Sequence, residues 1–192
     1  MPSPLGHGLA GLAIGLAVEP SVPEFARSTT RRLSKYAIFG AVVAALPDAD
    51  LLIAQMHRSV SHSVGATALL MIIVAAVTRW VTGRVQWRWV LLAGAAHASH
   101  ILMDWMGTDP YAPPGLEALW PFSHRFYISG WDIFPPTERR VFWPGAFWIN
   151  ARAFIVEVGV MGPIAVIVFL AKRTRRSRVL TSAPDSLQRP SA

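Results

Sequence analysis

Apolar residues fall in five blocks along the chain, covering residues 5–18, 36–54, 64–81, 89–106 and 153–171. A helix needs roughly 20 apolar residues to cross the hydrocarbon core of a bilayer. Blocks 36–54, 64–81 and 153–171 meet that length well. Block 89–106 meets it too, but carries His97, His100 and Asp104 in its second half. Block 5–18 is short, so it crosses with little tilt, packs inside a bundle or stops part-way. Its Gly11 and Gly15 have the small-xxx-small spacing that lets helices approach closely. In the last block, Glu157 is expected to face the bundle and Pro163 to introduce a kink. The pattern predicts an all-α, polytopic membrane helical bundle of about five transmembrane helices with an irregular outer loop.

Charge then orients the bundle. Arg27, Arg31, Arg32 and Lys35 lie between the first two blocks, and Arg79, Arg84 and Arg88 between the third and fourth. Lys172, Arg173, Arg175, Arg176 and Arg178 follow the fifth. Five spans put these three regions on one side, which the positive-inside rule makes cytoplasmic. The N-terminus, residues 55–63 and residues 107–152 then face outward. Residues 1–175 are expected to form one membrane-embedded domain, and 176–192, ending in TSAPDSLQRPSA, a disordered cytoplasmic tail. The outer loop is rich in Trp, Pro and Gly, which suits an interfacial aromatic belt and equally a lid for an amphiphile.

Composition sharpens this picture. Hydrophobic residues make up 53% of the 192 residues and charged ones 15%, with a mean hydropathy of +0.38, too apolar for an ordinary soluble domain. The net charge of +7 sits beside apolar blocks and so reads as membrane topology, not as a nucleic-acid footprint. With no cysteine, disulfides and thiolate metal sites are excluded. The opening MPSPLGHGLAG lacks the basic region of a secretory signal and is read as mature sequence.

The chemistry lies in the polar residues interrupting these blocks. Asp48 and Asp50 occur in LPDADLL, where unpaired carboxylates would be costly. All six histidines, His7, His57, His62, His97, His100 and His124, fall on the outward side or at outer helix ends. His100 and Asp104 are four apart and share a helix face, with His97 bordering it. Asp50 has three open roles: ligand, partner behind a ligand, or helix cap. Ser61 and Ser63 flank His62 and could orient it or cap the next helix. Singly, each of these residues is more often a packed or capping group, and a transporter's proton relay uses the same residue types. Jointly, they indicate a divalent metal site with His7, Asp48, His62, His97, His100 and Asp104 as ligand candidates. Imidazole and carboxylate without thiolate suit zinc, with manganese or iron as competitors. The surplus of candidates over one ion's needs suggests two ions, roughly 3.5–4 Å apart.

PSPLGHGLAG, LPDADLL, HRSVSHS and AHxxHxxxD together resemble the YdjM-like family of bacterial membrane-bound, predicted metal-dependent hydrolases, over about residues 1–125. The resemblance implies an inner-membrane protein with a hydrolase-type metal centre. The order His, Asp, His, His-x-x-x-Asp is also distantly similar to the zinc-dependent phospholipase C and P1 nuclease group. That likeness implies that Asp48, His62 and His100 hold one ion, and that Asp104 bridges to a second ion bound by His7. The later ligands of that group's third zinc are missing, and His57, His97 and Asp50 have no place in its scheme. The expected function is hydrolysis of a phosphoester or lipid-linked substrate at the outer membrane face. Asp50 or His57 would act as general base or acid, and Arg58, His124 and Arg125 would bind substrate. Membrane lipids are the expected partners, with no nucleic acid and no obligate protein partner. The alternative is a metal-binding transporter or sensor without hydrolytic activity, against which stands the near-absence of polar residues in the inward halves of the blocks. A structural protein with a vestigial ligand set is a third reading.

Overall fold

The computed structural model describes residues 1–20, 34–52, 58–138, 140 and 142–181. Among them are five α-helices: α1 (Pro4–Val18), α2 (Lys35–Ala45), α3 (Val64–Thr82), α4 (Trp87–Met106) and α5 (Ala146–Thr181). Among the described residues no strand forms; those from 107 to 138 are irregular, tied by isolated bridges Gly107–Phe134 and Leu116–Tyr127.

Local chemistry explains most boundaries. Ser3 caps α1, its hydroxyl accepting from the Gly6 N–H, with Pro4 in the first helical position. Ser63 caps α3, and Gly83 ends it in the left-handed conformation at φ +75°. α2 is shorter than its apolar block, because Pro47 removes a backbone donor and the chain tightens into a 3-10 stretch, Leu46–Leu52. α5 runs beyond its block at both ends and passes through Pro163 as one helix. It continues to Thr181, past the tail boundary expected at 175, since Lys172–Arg178 are mostly good helix formers. Residues 182–192 lie outside the described residues.

Among the described residues, two helices are long and apolar enough to cross a membrane: α3, and α5 over Ala146–Thr174. Fewer meet that measure than the five blocks suggested. α1 and α2 are only 15 and 11 residues long, and the histidines and Asp104 dilute the apolar character of α4. No residue of α3 is buried, and Leu69, Ile72, Ile73 and Val77 all point outward. Such a surface needs an apolar surrounding.

α1 lies at the centre, packed on α2, α4 and α5, while α3 packs on α4. Small residues make the central contacts. A Cβ on Gly11 would meet the Gly40 carbonyl and Ala44, and one on Gly15 would meet the Tyr36 carbonyl. Backbone-to-backbone approach of this kind gives membrane helices their packing attraction. α5 also grips α1 at both ends. The Glu157 carboxylate accepts from the Ser3 N–H (2.6 Å) and the Ser3 hydroxyl (2.5 Å). The Lys172 ammonium donates to the Leu16 carbonyl (2.5 Å) and pairs with Glu19 (2.9 Å). An anion at the N-terminus and a cation at the C-terminus both complement the helix dipole, each worth about 0.3–2 kcal/mol. Residues 1–3, 46–52, 58–63 and the described residues of the 107–145 loop share one end of the bundle, stitched by the Met1 amine on the Thr108 carbonyl and the Val64 N–H on the Ala118 carbonyl. The α3–α4 turn and Lys172 lie at the other end.

Candidate metal centre

Three helix ends and a turn meet at the loop-covered end. α1 contributes His7 from its first turn, the 3-10 stretch after α2 contributes Asp48, and α4 contributes His100 and Asp104 from its last two turns. His62 closes a short 3-10 turn, Val60–His62, just before α3. The Ser63 hydroxyl locks that turn by donating to the Val60 carbonyl (2.6 Å) while accepting from the Ala66 N–H (3.1 Å).

The side chains are almost wholly withdrawn from the surface. His7, His62 and His100 are 0% exposed and Asp104 1%. The His7 and His100 rings stack at 3.7 Å, and His62 meets His100 edge-on at 4.7 Å. Each carboxylate faces two ways. Asp104 turns Oδ1 to His7 Nε2 (3.3 Å) and Oδ2 to the Nε2 atoms of His100 (3.2 Å) and His62 (3.5 Å). Asp48 does the same at longer range: Oδ2 lies 4.0 Å from His7 Nε2, and Oδ1 3.9 Å from both His62 and His100. The ligand atoms fall into two groups, His7 with His100 and Asp104, and Asp48 with His62 and His100.

Partners behind the rings aim them. His100 Nδ1 donates to the Ala44 carbonyl at 2.7 Å, which leaves Nε2 as the nitrogen with a free lone pair. His62 Nδ1 lies 3.2 Å from Asp50 Oδ2 and 3.1 Å from the Ser61 hydroxyl, which itself donates to Asp50. A carboxylate–imidazole relay of this kind orients metal-binding histidines. Burial opposes a charge on His62, but hydrogen bonding to Asp48 and Asp50 and the charge of Asp104 outweigh it and raise its pKa to about 9.

The residues fit a divalent cation. His7 Nδ1 and Nε2, His100 Nε2, Asp48 Oδ2 and both Asp104 oxygens are buried without a hydrogen-bond partner among the described residues. Polar atoms in that state are costly unless something compensates them. Ligands about 2.0–2.1 Å from a tetrahedral ion stand about 3.3 Å from one another, and the three Asp104 distances bracket that value.

The other candidates stand apart. His97 lies outside both groups, its Nδ1 held by the Thr67 hydroxyl at 2.8 Å on α3 and its ring also bonded to the Ser61 backbone. Asp50 sits behind His62, not among the grouped ligand atoms. His57 lies outside the described residues. Arg58 pairs with Asp109 and donates to the carbonyls of Tyr111 (3.5 Å) and Pro113 (3.2 Å). The His124 side chain is 76% exposed beside Glu117, and Arg125 is exposed. Glu157 and the Ala44 carbonyl, which seat α1 and His100, were not singled out for the site from sequence. The Ser3–Glu157 link spans 154 residues and leaves no local trace.

Residues 1–183 match the model of the YdjM inner membrane protein family. The chain belongs to that family. No curated protein and no solved structure matches it. The YdjM match runs about 58 residues beyond the motif-bearing part, through the irregular loop and α5. All four ligand-bearing motifs fall within it.

Proposed function

We propose that this YdjM-family chain is a membrane-bound metal-dependent hydrolase acting on phosphoester or lipid-linked substrates at the outer face of the inner membrane. The observation that carries the reading is the two-way split of Asp48 and Asp104. His100 offers one nitrogen, so it serves one ion. His62, His100 and the near oxygens of Asp48 and Asp104 would hold one ion. His7 with the far oxygens of the same two carboxylates would hold a second, with fewer protein ligands. Divalent cations, zinc first by donor type, supply Lewis-acid polarisation and lower the pKa of water. The chain's own part is to hold the ligands, to aim His62 through Asp50 and His100 through Ala44, and to shield the centre beneath the loop that follows α4. In hydrolysis, a water oxygen bonds to phosphorus, the ester P–O bond breaks, and the departing oxygen takes up the proton.

Five spans accompany this reading. α2 and its 3-10 continuation reach about 30 Å together, at 1.5 Å and 2.0 Å per residue, which matches a bilayer core. Lys35, Arg79, Arg84, Arg88 and Lys172 then lie on the cytoplasmic side and the metal centre on the outer one.

The test is metal content followed by a screen of phosphomonoester, phosphodiester and phospholipid substrates. The wild-type protein is expected to hold two ions per chain, His7→Ala one, and Asp104→Ala fewer than one, with hydrolysis lost in both variants. Full metal occupancy in Asp104→Ala would refute the ligand assignment. Metal with no turnover on any phosphoester would favour a sensor.

A further inference from the structure

Two of the three histidines at the centre are aimed through Nδ1: His62 by Asp50 and His100 by the Ala44 carbonyl. His7 is different. Its Nδ1 is buried and has no hydrogen-bond partner among the described residues. The ring stacks on His100 at 3.7 Å, which fixes its plane but leaves it free to slide within that plane. The direction of its Nε2 toward Asp104 and Asp48 therefore comes from the backbone that carries it.

Ser3 holds that backbone. Its carbonyl accepts from the His7 N–H at 3.2 Å. Its own N–H and hydroxyl both donate to the Glu157 carboxylate, at 2.6 and 2.5 Å. Glu157 stands on α5, is fully buried, and belongs to neither group of ligand atoms. A buried carboxylate is costly unless its oxygens are bonded; here both oxygens are bonded to Ser3. The contact is close. A Cβ on Gly6, the residue before His7, would stand 2.7 Å from the Glu157 carboxyl carbon, so any larger residue there would push the carboxylate aside. No other grouped ligand stands on α1 or α5. Asp48 follows α2, His62 precedes α3, and His100 and Asp104 are on α4.

We propose that Glu157 is a positioning residue for the ion held by His7, and for that ion alone. Through Ser3 it keeps the His7 ring in register with Asp48 and Asp104. The ion shared by His62 and His100 has no such dependence on α5. This inference rests on the two-ion reading of the centre and not on what the centre hydrolyses.

The experiment reads zinc binding without turnover. The full-length protein in detergent is stripped of metal and titrated with zinc against a competing chelator. The wild type is expected to show two binding steps. In Glu157→Ala one step weakens about 10- to 100-fold, the loss that follows removal of an orienting partner, and the other keeps its affinity. Adding Glu157→Ala to His7→Ala should change nothing further, which assigns the weakened step to His7. Glu157→Gln has the same length, offers an oxygen to the Ser3 N–H and an N–H to its hydroxyl, and should restore most of the lost affinity. Ser3→Ala deletes one of the two hydrogen bonds to Glu157 and should skew the steps in the same direction, which covers a Glu157→Ala chain that does not fold. Lys172→Ala loosens the same two helices at their far end; it should lower the melting temperature and leave both steps as in the wild type. Equal weakening of both steps in Glu157→Ala, or the same skew in Lys172→Ala, would reduce Glu157 to general packing and overturn the proposal. A wild type with a single step overturns the two-ion reading along with it. The expected skew in a protein that hydrolyses nothing keeps the positioning role and removes only the enzyme.

Discussion

Adding one methyl group at Gly11 tests how helix packing sets the metal geometry. A Cβ there would stand 2.6 Å from the Ala44 Cβ and 2.6 Å from the Gly40 carbonyl carbon. Ordinary contact begins near 3.4 Å and the Gly40 carbonyl oxygen would lie closer still, so α1 and α2 must part by more than about 0.8 Å. Overpacking of this kind costs about 1–3 kcal/mol. Ala44 is also the residue whose carbonyl holds His100 Nδ1 at 2.7 Å, and α1 and α2 deliver His7 and Asp48. A displacement of that size exceeds the roughly 0.2 Å latitude of metal–ligand distances. Losing an orienting partner weakens metal binding about 10- to 100-fold. Gly8→Ala is the matched control, because its Cβ would meet only the Ala41 carbonyl at 3.9 Å. The two variants share the same chemical change in the same helix, so propensity cancels. Thermal unfolding in detergent should place Gly11→Ala roughly 2–12 °C below Gly8→Ala, and chelator competition should show its weaker zinc binding. Gly15→Ala, equally crowded but two turns from His7, should lose stability while keeping more of its metal affinity. Equal melting and equal affinity for the Gly11 and Gly8 variants would refute the reasoning.

Two further outcomes follow from the groups around His62. Asp50→Ala should leave the number of bound ions unchanged at saturation and weaken affinity about 10- to 100-fold, measured by chelator competition; full loss of binding would make Asp50 a direct ligand. Metal binding requires a neutral His62, whose pKa in the metal-free protein is raised to about 9. Apparent affinity should therefore fall about tenfold per pH unit below that value, and a flat titration profile between pH 8 and 6.5 would contradict the assigned environment. The sign reverses for the metal-free fold: its folded-state pKa is the higher one, so this proton stabilises it fully below 6.5 and is lost through about 9.

The helices with local punctuation were legible from sequence. Ser63 and Gly83 bound α3 almost where the apolar block ends, and the four-residue spacing of His100 and Asp104 already placed them on one face. Pro47 signals that the helix presenting Asp48 and Asp50 is disturbed, and the apolar run beyond it hides only that the backbone tightens there into a 3-10 stretch. On that turn Asp48 faces His7, His62 and His100, while Asp50 meets His62 from behind. His97 and His100 looked equivalent on one helix. Thr67, thirty residues away on α3, draws the His97 ring aside. The Gly11–Gly15 spacing announced a close helix contact without naming α2 as its partner. Pairings made only by the folded chain, such as Arg58 with Asp109, had no signature in the string of residues.

The clasp that α5 places on α1 has a consequence for biogenesis. A nascent chain emerges with its first histidine long before its last helix, yet Glu157 and Lys172 anchor both ends of the segment bearing that histidine. Seating of α1 therefore waits for α5. A protein stalled before α5 inserts would leave α1 unsecured, so the residue-7 imidazole would settle beside His100 and Asp104 only once α5 is in place.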